Sequence, residues 1–452
     1  MHLLIIGGSD AGISAALRAR ELDPSVETTV VVADAFPNFS ICGLPFYLSG
    51  EVGDYRNLAH RTAADIEREG ISLLLDHTAQ AVDPQAKTVA VVGQDGQAQT
   101  LSYDRLVIGT GAVSAQPRIE GLDLPGVYPM RWMRDAFAVY DHLTERGPQS
   151  AVVIGGGYIG MEMADGLTLR GLDVTVVEYF DTVLTTVDPV LGQVVREELE
   201  GHGVHVTTGT AVARIEAQGD RLVVSGTKDL CIEADLVVYA TGVRPETALA
   251  RTAGVKMGEW GAIRVNRKME TNVDDVYAAG DCVETYHRLL DRYTFMPLGT
   301  TAHKQGRVAG ENAVGGDAEY AGSLGTQVVK VFDLVVARTG LRDVEASEAG
   351  FAPLTVELET WDHKVYYPGA HKMRVCVTGD CETGRLLGAQ MIGRRGTEVS
   401  KRIDIFAAAL FHGMAVDGLS DLDLSYTPPL SSPWDPVQMA AQAWGKTLNP
   451  GA

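Results

Sequence analysis

The 452-residue chain is short of cysteine, of positive charge and of long apolar runs. Its five cysteines, Cys42, Cys231, Cys282, Cys376 and Cys381, form no CxxC pair and no dense framework. That argues against a secreted disulfide scaffold and leaves no set of metal ligands. With 59 acidic and 38 basic residues the formal net charge is -21, which disfavours nucleic acid and anionic membrane surfaces as partners. No run of 18 apolar residues occurs, so no transmembrane helix is expected. The opening MHLLIIGGSD has neither the basic nor the long apolar region of a secretory leader, and the expected location is the cytoplasm. A composition of 45% hydrophobic and 21% charged residues is ordinary for a globular chain of two or three domains.

Glycine is abundant, with fifty residues, many just after β-rich runs. LLIIGGSDAGISAALRAR, from Leu3 to Arg20, reads as a strand, a tight turn and an amphipathic helix. Gly7, Ser9 and Gly12 hold the three positions of a GxGxxG fingerprint. A small middle residue lets the backbone approach a pyrophosphate, whose charge the helix N-terminus stabilises. The strand TTVVVAD then ends at Asp34, a candidate partner for a ribose hydroxyl.

A second unit is more regular. AVVIGGGYIGMEMADGLTLRGLDVTVVEYFD carries Gly155, Gly157 and Gly160, a helix stopped at Gly171, and a strand ending in Glu178. Glu178 suits the adenosine ribose of NADH and would repel the 2′-phosphate of NADPH, which stays open as a second donor. Two dinucleotide sites in one chain point to hydride transfer between a nicotinamide and a flavin, hence to NADH and FAD. Two further strands end in T-G turns, at Thr110-Gly111 and at Thr241-Gly242. TNVDDVYAAGD runs into Gly280-Asp281, where a carboxylate can accept from a ribityl hydroxyl.

With these motifs and with SICGLPFYLSG around Cys42, the chain resembles the flavin-dependent pyridine nucleotide-disulfide oxidoreductases over nearly its whole length. The resemblance implies an α/β fold of two Rossmann-like three-layer nucleotide-binding domains plus a C-terminal α+β dimerisation domain. It divides the chain into a first FAD part at 1–115, an NAD(P) domain at 116–245, a second FAD part at 246–325 and a dimerisation domain at 326–452. It adds Gly8, Ile159 and Ala302 to the cofactor-binding set, and it implies a homodimer.

The subclass turns on Cys42. Pro37 lies five residues before it and Tyr47 five after, so the C-x4-C redox pair of glutathione reductase-like enzymes is absent. What remains resembles the single-cysteine branch: coenzyme A-disulfide reductases, NADH oxidases, NADH peroxidases and persulfide reductases. A lone thiolate there attacks sulfur, and its oxidised form is a mixed disulfide or a sulfenic acid. The tail DLDLSYTPPLSSPWDPVQMAAQ resembles the YxPPxxxxxDP segment of coenzyme A-disulfide reductases. By that resemblance Tyr426, with Tyr366 or Tyr367 of KVYYPG, reaches across the dimer toward the active cysteine. Arg18, Arg20 and Arg61 match helices whose basic side chains meet coenzyme A phosphates.

Asp10 departs from the pattern. Related peroxidases and water-forming oxidases carry a histidine at this position, and an ionised aspartate there would repel a thiolate. The favoured function is an NADH-dependent disulfide or persulfide reductase with coenzyme A disulfide as acceptor. An oxygen-reducing NADH oxidase and a redox-sensing flavoprotein acting on a protein partner are the alternatives.

Overall fold

Apolar runs become central parallel strands where both sheet faces are covered. The computed structural model describes residues 1–450 and contains two such sheets. The first is ordered Val276–Ala278, Arg105–Ile108, His2–Ile6, Glu27–Val31 and Ile71–Leu74, all parallel. Leu3, Leu4 and Ile5 lose all solvent contact at its centre. The second is ordered His205–Thr207, Asp173–Val177, Ser150–Ile154, Leu236–Tyr239 and Val127–Pro129, again all parallel. Its central strand shows the period of two directly: Ala151 and Val153 join one apolar core, Val152 and Ile154 another. The latter core is completed by Ile215, Leu222 and Val224 of a three-stranded antiparallel sheet.

The chain passes between the two units on an antiparallel pair, Ala112–Ser114 against Val243–Pro245. It then returns to the first sheet through Val276–Ala278, so that sheet is built from distant parts of the sequence. The C-terminal region is a five-stranded antiparallel sheet covered by the helices Val399–Phe411 and Pro436–Leu448. Phe406 and Trp444 anchor those helices in its core. No helix among the described residues is long and apolar enough to cross a membrane.

Two close backbone approaches position the site. The helix Gly299–Ala313 lies on the helix Asp10–Leu22 so tightly that a Cβ at Gly306 or Gly310 would collide with the carbonyl of Ala11 or Ala15. This brings the start of the later helix beside Asp10. Likewise Gly166, on the helix Tyr158–Leu169, would place a Cβ 3.1 Å from Pro45 O and 3.2 Å from Ser49 Cβ. The short helix Leu44–Ser49 that follows Cys42 therefore rests directly on the helix of the second glycine fingerprint.

Candidate active site

Both glycine turns have the shape that a dinucleotide needs. Gly7 and Gly155 adopt φ of +115° and +107°, and a Cβ on either would run into the neighbouring strand's end at Gly109 or Ala240. Gly12 and Gly160 press on the carbonyls of Gly7 and Gly155. Gly8 packs on Val32. The middle positions, Ser9 and Gly157, are the N-caps of their helices and lie exposed, and neither has a side-chain cap bond. No protein atom comes within 4 Å of where a Cβ of Gly157 or Gly242 would stand. Open space beside free helix N–H groups fits a pyrophosphate. Gly280, with Ala11 2.8 Å and Ala302 3.6 Å from its would-be Cβ, makes a third close approach at the first unit. Gly111 and Gly242 both take left-handed φ, and Thr110 donates its hydroxyl to Glu246 O at 2.5 Å. Ile159 is half-buried in the apolar core beneath the second turn.

The two acidic strand ends are held by backbone. Asp34 accepts from Phe36 N at 2.9 Å, and burial raises its carboxyl above the usual range. Glu178 is buried and accepts from Gly156 N and, at 2.8 Å, from Phe180 N, so it braces the glycine turn as well as ending the strand. Each carboxylate oxygen keeps acceptor capacity for a ribose hydroxyl. Asp281 is paired with Arg131 at 2.6 Å, a partner with no local sequence signal.

Cys42 lies in a 3-10 turn, Ile41–Gly43, that opens the short helix. The approach is unusual: Asn38 takes a left-handed φ of +57°, which asparagine tolerates better than most residues. Its N–H bonds Gly8 O at 2.7 Å, and its carbonyl accepts from His60 N at 2.9 Å. The Pro37-Asn38 wording thus turns the chain from the first fingerprint into the cysteine segment. Cys42 is itself exposed, with protein packed around it. Burial raises its thiol pKa above the ordinary value, and Glu162, Asp10 and Asp281 raise it further while Arg131 opposes them. The lowered pKa that nearby positive charge would give is not what the chain's own groups provide.

Glu162, on the fingerprint helix, has its carboxyl pushed up to about 7 by burial and by Asp165, against the pull of Lys330. Lys330 bonds Asp165 at 2.8 Å and so ties the C-terminal sheet to that helix. Glu162 is neutral below about pH 7 and negative above it, and its negative form disfavours the Cys42 thiolate. In Glu162→Gln, alkylation of Cys42 by iodoacetamide at pH 8 is expected to be roughly threefold faster than in the wild type, with little difference at pH 6. Equal rates at both pH values would remove Glu162 from the control of this thiol.

A cavity of about 580 Å³ is lined by Asp10, which acts on Cys42, and by Ser14, Asn38, His60, Arg61 and His303, among others. Burial raises the Asp10 carboxyl, and His60 and His303 face it and counteract the rise. The buried Oδ1 of Asn38 has no hydrogen-bond partner. Arg61 lies on the cavity wall, whereas Arg18 and Arg20 engage groups of their own chain. Arg18 is bound to Glu311 at 2.6 Å and Glu21 at 2.9 Å. Arg20 donates to the carbonyls of Pro24, Val26 and Glu69, bracing the end of its own helix. Charged residues at helical spacing gave no hint of these neighbours.

The other cysteines show no comparable setting. Cys282 and Cys376 are buried, with thiols pushed up to about 11 and about 12, and Cys231 and Cys381 are exposed and free. Tyr366, Tyr367 and Tyr426 are all exposed on the C-terminal region. Tyr426 has Tyr366 as a neighbour, and burial and that second hydroxyl raise its pKa, whereas Tyr367 meets His363 edge-on at 5.9 Å. The groups that act most on Cys42 within its own chain are Glu162, Asp10, Arg131 and Asp281, none of them a tyrosine.

Two dinucleotide-shaped turns flanking one accessible cysteine define a flavin- and nicotinamide-dependent oxidoreductase. The chain belongs to the pyridine nucleotide-disulphide oxidoreductases: that family's model matches residues 1–306, and the model of its dimerisation domain matches 326–436. The cofactors are FAD and a nicotinamide dinucleotide, and the assembly is a homodimer. The chain is 34% identical to an NADH oxidase of Methanocaldococcus jannaschii, over 99% of this chain and 100% of that one. It is 35% identical to a CoA-dependent NAD(P)H sulfur oxidoreductase of Pyrococcus abyssi, over 97% of each. Its fold matches the structure of an NAD-dependent persulfide reductase from A. fulgidus with a TM-score of 0.96 and 38% identity, covering 100% of this chain and 84% of that one.

Proposed function

We propose that the protein is an NADH-dependent flavoprotein that reduces a small disulfide or persulfide, with a coenzyme A disulfide as the favoured acceptor. The observation that carries this is Cys42: accessible, without a second cysteine to pair with, and seated between both glycine turns. Bound FAD, held by the Gly7–Gly12 turn, Asp34 and the Gly280-Asp281 segment, supplies the two-electron relay between nicotinamide and sulfur. The remaining work falls to the chain. The Cys42 thiolate attacks one sulfur of the acceptor, the S–S bond breaks, and one thiol leaves with a proton. Cys42 is then held in a mixed disulfide, which two electrons and one proton from the NADH side resolve to the second thiol and the free thiolate. Tyr426 and Tyr366 of one subunit serve Cys42 of the partner subunit as hydroxyl donors to the departing sulfur. Arg61 supplies positive charge on the cavity wall for an anionic acceptor.

Intact mass spectrometry of enzyme purified without reductant tests this reading. A reducible adduct of coenzyme A mass on Cys42 is expected. A different thiol there, with no turnover of coenzyme A disulfide, would end the coenzyme A assignment. The similarity to an NADH oxidase and the His60 and His303 side chains facing Asp10 favour oxygen as the second reading. NADH consumption with oxygen, peroxide, coenzyme A disulfide and polysulfide under matched conditions separates the two, and dominant oxygen turnover would reverse the order.

NADH is the donor that Glu178 favours. Arg170, the nearest arginine in sequence, is engaged elsewhere, donating to Leu48 O at 2.7 Å with its guanidinium over Tyr140. A 2′-phosphate would therefore face a carboxylate without that compensating cation. Steady-state kinetics should show kcat/KM for NADH about tenfold or more above that for NADPH. A ratio near one would remove Glu178 from donor selection.

A further inference from the structure

We propose that Arg402 is a positioning residue that sets Tyr366 and Tyr426 beside one another, ready for the active centre of the other subunit. The inference rests on the tyrosine role proposed above. The two tyrosines stand on separate excursions of the chain. Tyr366 belongs to the connection between the strands Pro353–Trp361 and Lys372–Asp380, and Tyr426 to the extended segment before the helix Pro436–Leu448. Both side chains are largely in solvent, at 71% and 45% exposure. A contact between two side chains so exposed is too weak to order two such excursions against their conformational entropy.

The order comes from beneath. Arg402, on the helix Val399–Phe411, is buried, and its guanidinium spans three segments at once. Nη2 donates to Asp362 O at 2.8 Å, at the neck of the Tyr366 connection. Nε donates to Asp435 Oδ2 at 3.3 Å, at the end of the Tyr426 segment. Nη1 donates to Thr397 O at 2.5 Å.

Each anchor is itself fixed. Asp362 Oδ1 accepts from His371 N at 2.9 Å across the neck, and its Oδ2 contacts His363 Nδ1 at 2.9 Å. Asp435 accepts from Ser431 Oγ at 3.0 Å and from Val437 N at 2.9 Å. On the outside, Lys364 lies 4.3 Å over the Trp434 ring and links the same two segments again. The guanidinium is the right group for this task, because its donors sit on three separate nitrogens in a rigid plane, whereas an ammonium's three donors radiate from a single atom.

Arg402→Lys holoenzyme tests the proposal. The expected result is a loss of about tenfold in kcat for disulfide turnover with KM little changed, while NADH-dependent reduction of ferricyanide is unaffected. In a Tyr366→Phe/Tyr426→Phe background the same substitution should cost less than about twofold, because the groups it positions are gone. Equal losses in both backgrounds, or unchanged disulfide turnover in Arg402→Lys, would overturn the proposal. Wild-type disulfide turnover in the tyrosine double variant would instead overturn the tyrosine role, and the proposal with it. Should Arg402→Lys fail to fold, Arg402→Met/Asp435→Asn removes both buried charges together and carries the same cycle.

Discussion

Replacing Cys42 by serine is expected to abolish NADH-dependent disulfide turnover, a fall of at least about 10³-fold, while the protein keeps its flavin. A serine hydroxyl at this position has no thiolate form to attack sulfur and cannot enter a mixed disulfide. The substitution is nearly isosteric, and Cys42 has exposed surface in a turn whose own backbone bonds do not use the side chain. Stability should therefore change by no more than about 0.5 kcal/mol. The first half of the reaction should survive, since the groups that bind the nicotinamide dinucleotide lie on the second glycine turn. Anaerobic bleaching of the flavin by NADH, flavin content and disulfide turnover, measured on one preparation, separate these outcomes. Disulfide turnover at the wild-type rate would dismiss Cys42 as the nucleophile.

Gly160→Ala should separate the halves in the other direction. A Cβ at Gly160 would collide with the carbonyl of Gly155, and the turn cannot retreat. Gly155 is already wedged, with Ala240 O 2.6 Å from its own would-be Cβ and a φ of +107° that alanine-like residues avoid. The helix cannot retreat either, because Gly166 holds it against the Cys42 helix. Overpacking of this kind costs about 1–3 kcal/mol, and the strain falls on the loop that must cradle a pyrophosphate. The expected result is a rise in KM for NADH of about 10- to 100-fold with flavin still bound, because the Gly7–Gly12 turn is a separate structure. Stopped-flow reduction by NADH, set beside reduction by dithionite, provides the measurement. Normal NADH reduction in Gly160→Ala would show that this turn is not the nicotinamide dinucleotide site.

Much of the candidate site was legible locally. A glycine fingerprint is a run of consecutive residues whose spacing follows from one strand, one turn and one helix, so Gly7, Gly12, Gly155 and Gly160 could be named without a structure. Cys42 could be named because its flanking segment resembles the active-site segment of a known family, with no second cysteine at the C-x4-C spacing. Arg18 and Arg20 show the complementary limit. Their positions on a helix are local, but their partners are not: Glu311 is 293 residues from Arg18, and Glu69 is 49 from Arg20. Glu162 could be placed on the fingerprint helix, yet its influence on Cys42 depends on the Leu44–Ser49 helix packing at Gly166.

Local periodicity and turn chemistry, acting over a few residues, are enough to set the two dinucleotide units, their order and the acidic strand ends, while the choice of a single sulfur came from the family resemblance of its flanking segment. Those features depend on backbone geometry that neighbouring residues dictate. The electrostatic setting of that sulfur was decided only by tertiary structure, since Arg131, Asp281, Glu162 and Asp10 come from different elements and act through space. Arg402 belongs to the same class, with partners 33 and 40 residues away meeting one guanidinium in a place from which water is excluded. Burial gives such charges their influence, and burial is a property of the packed chain.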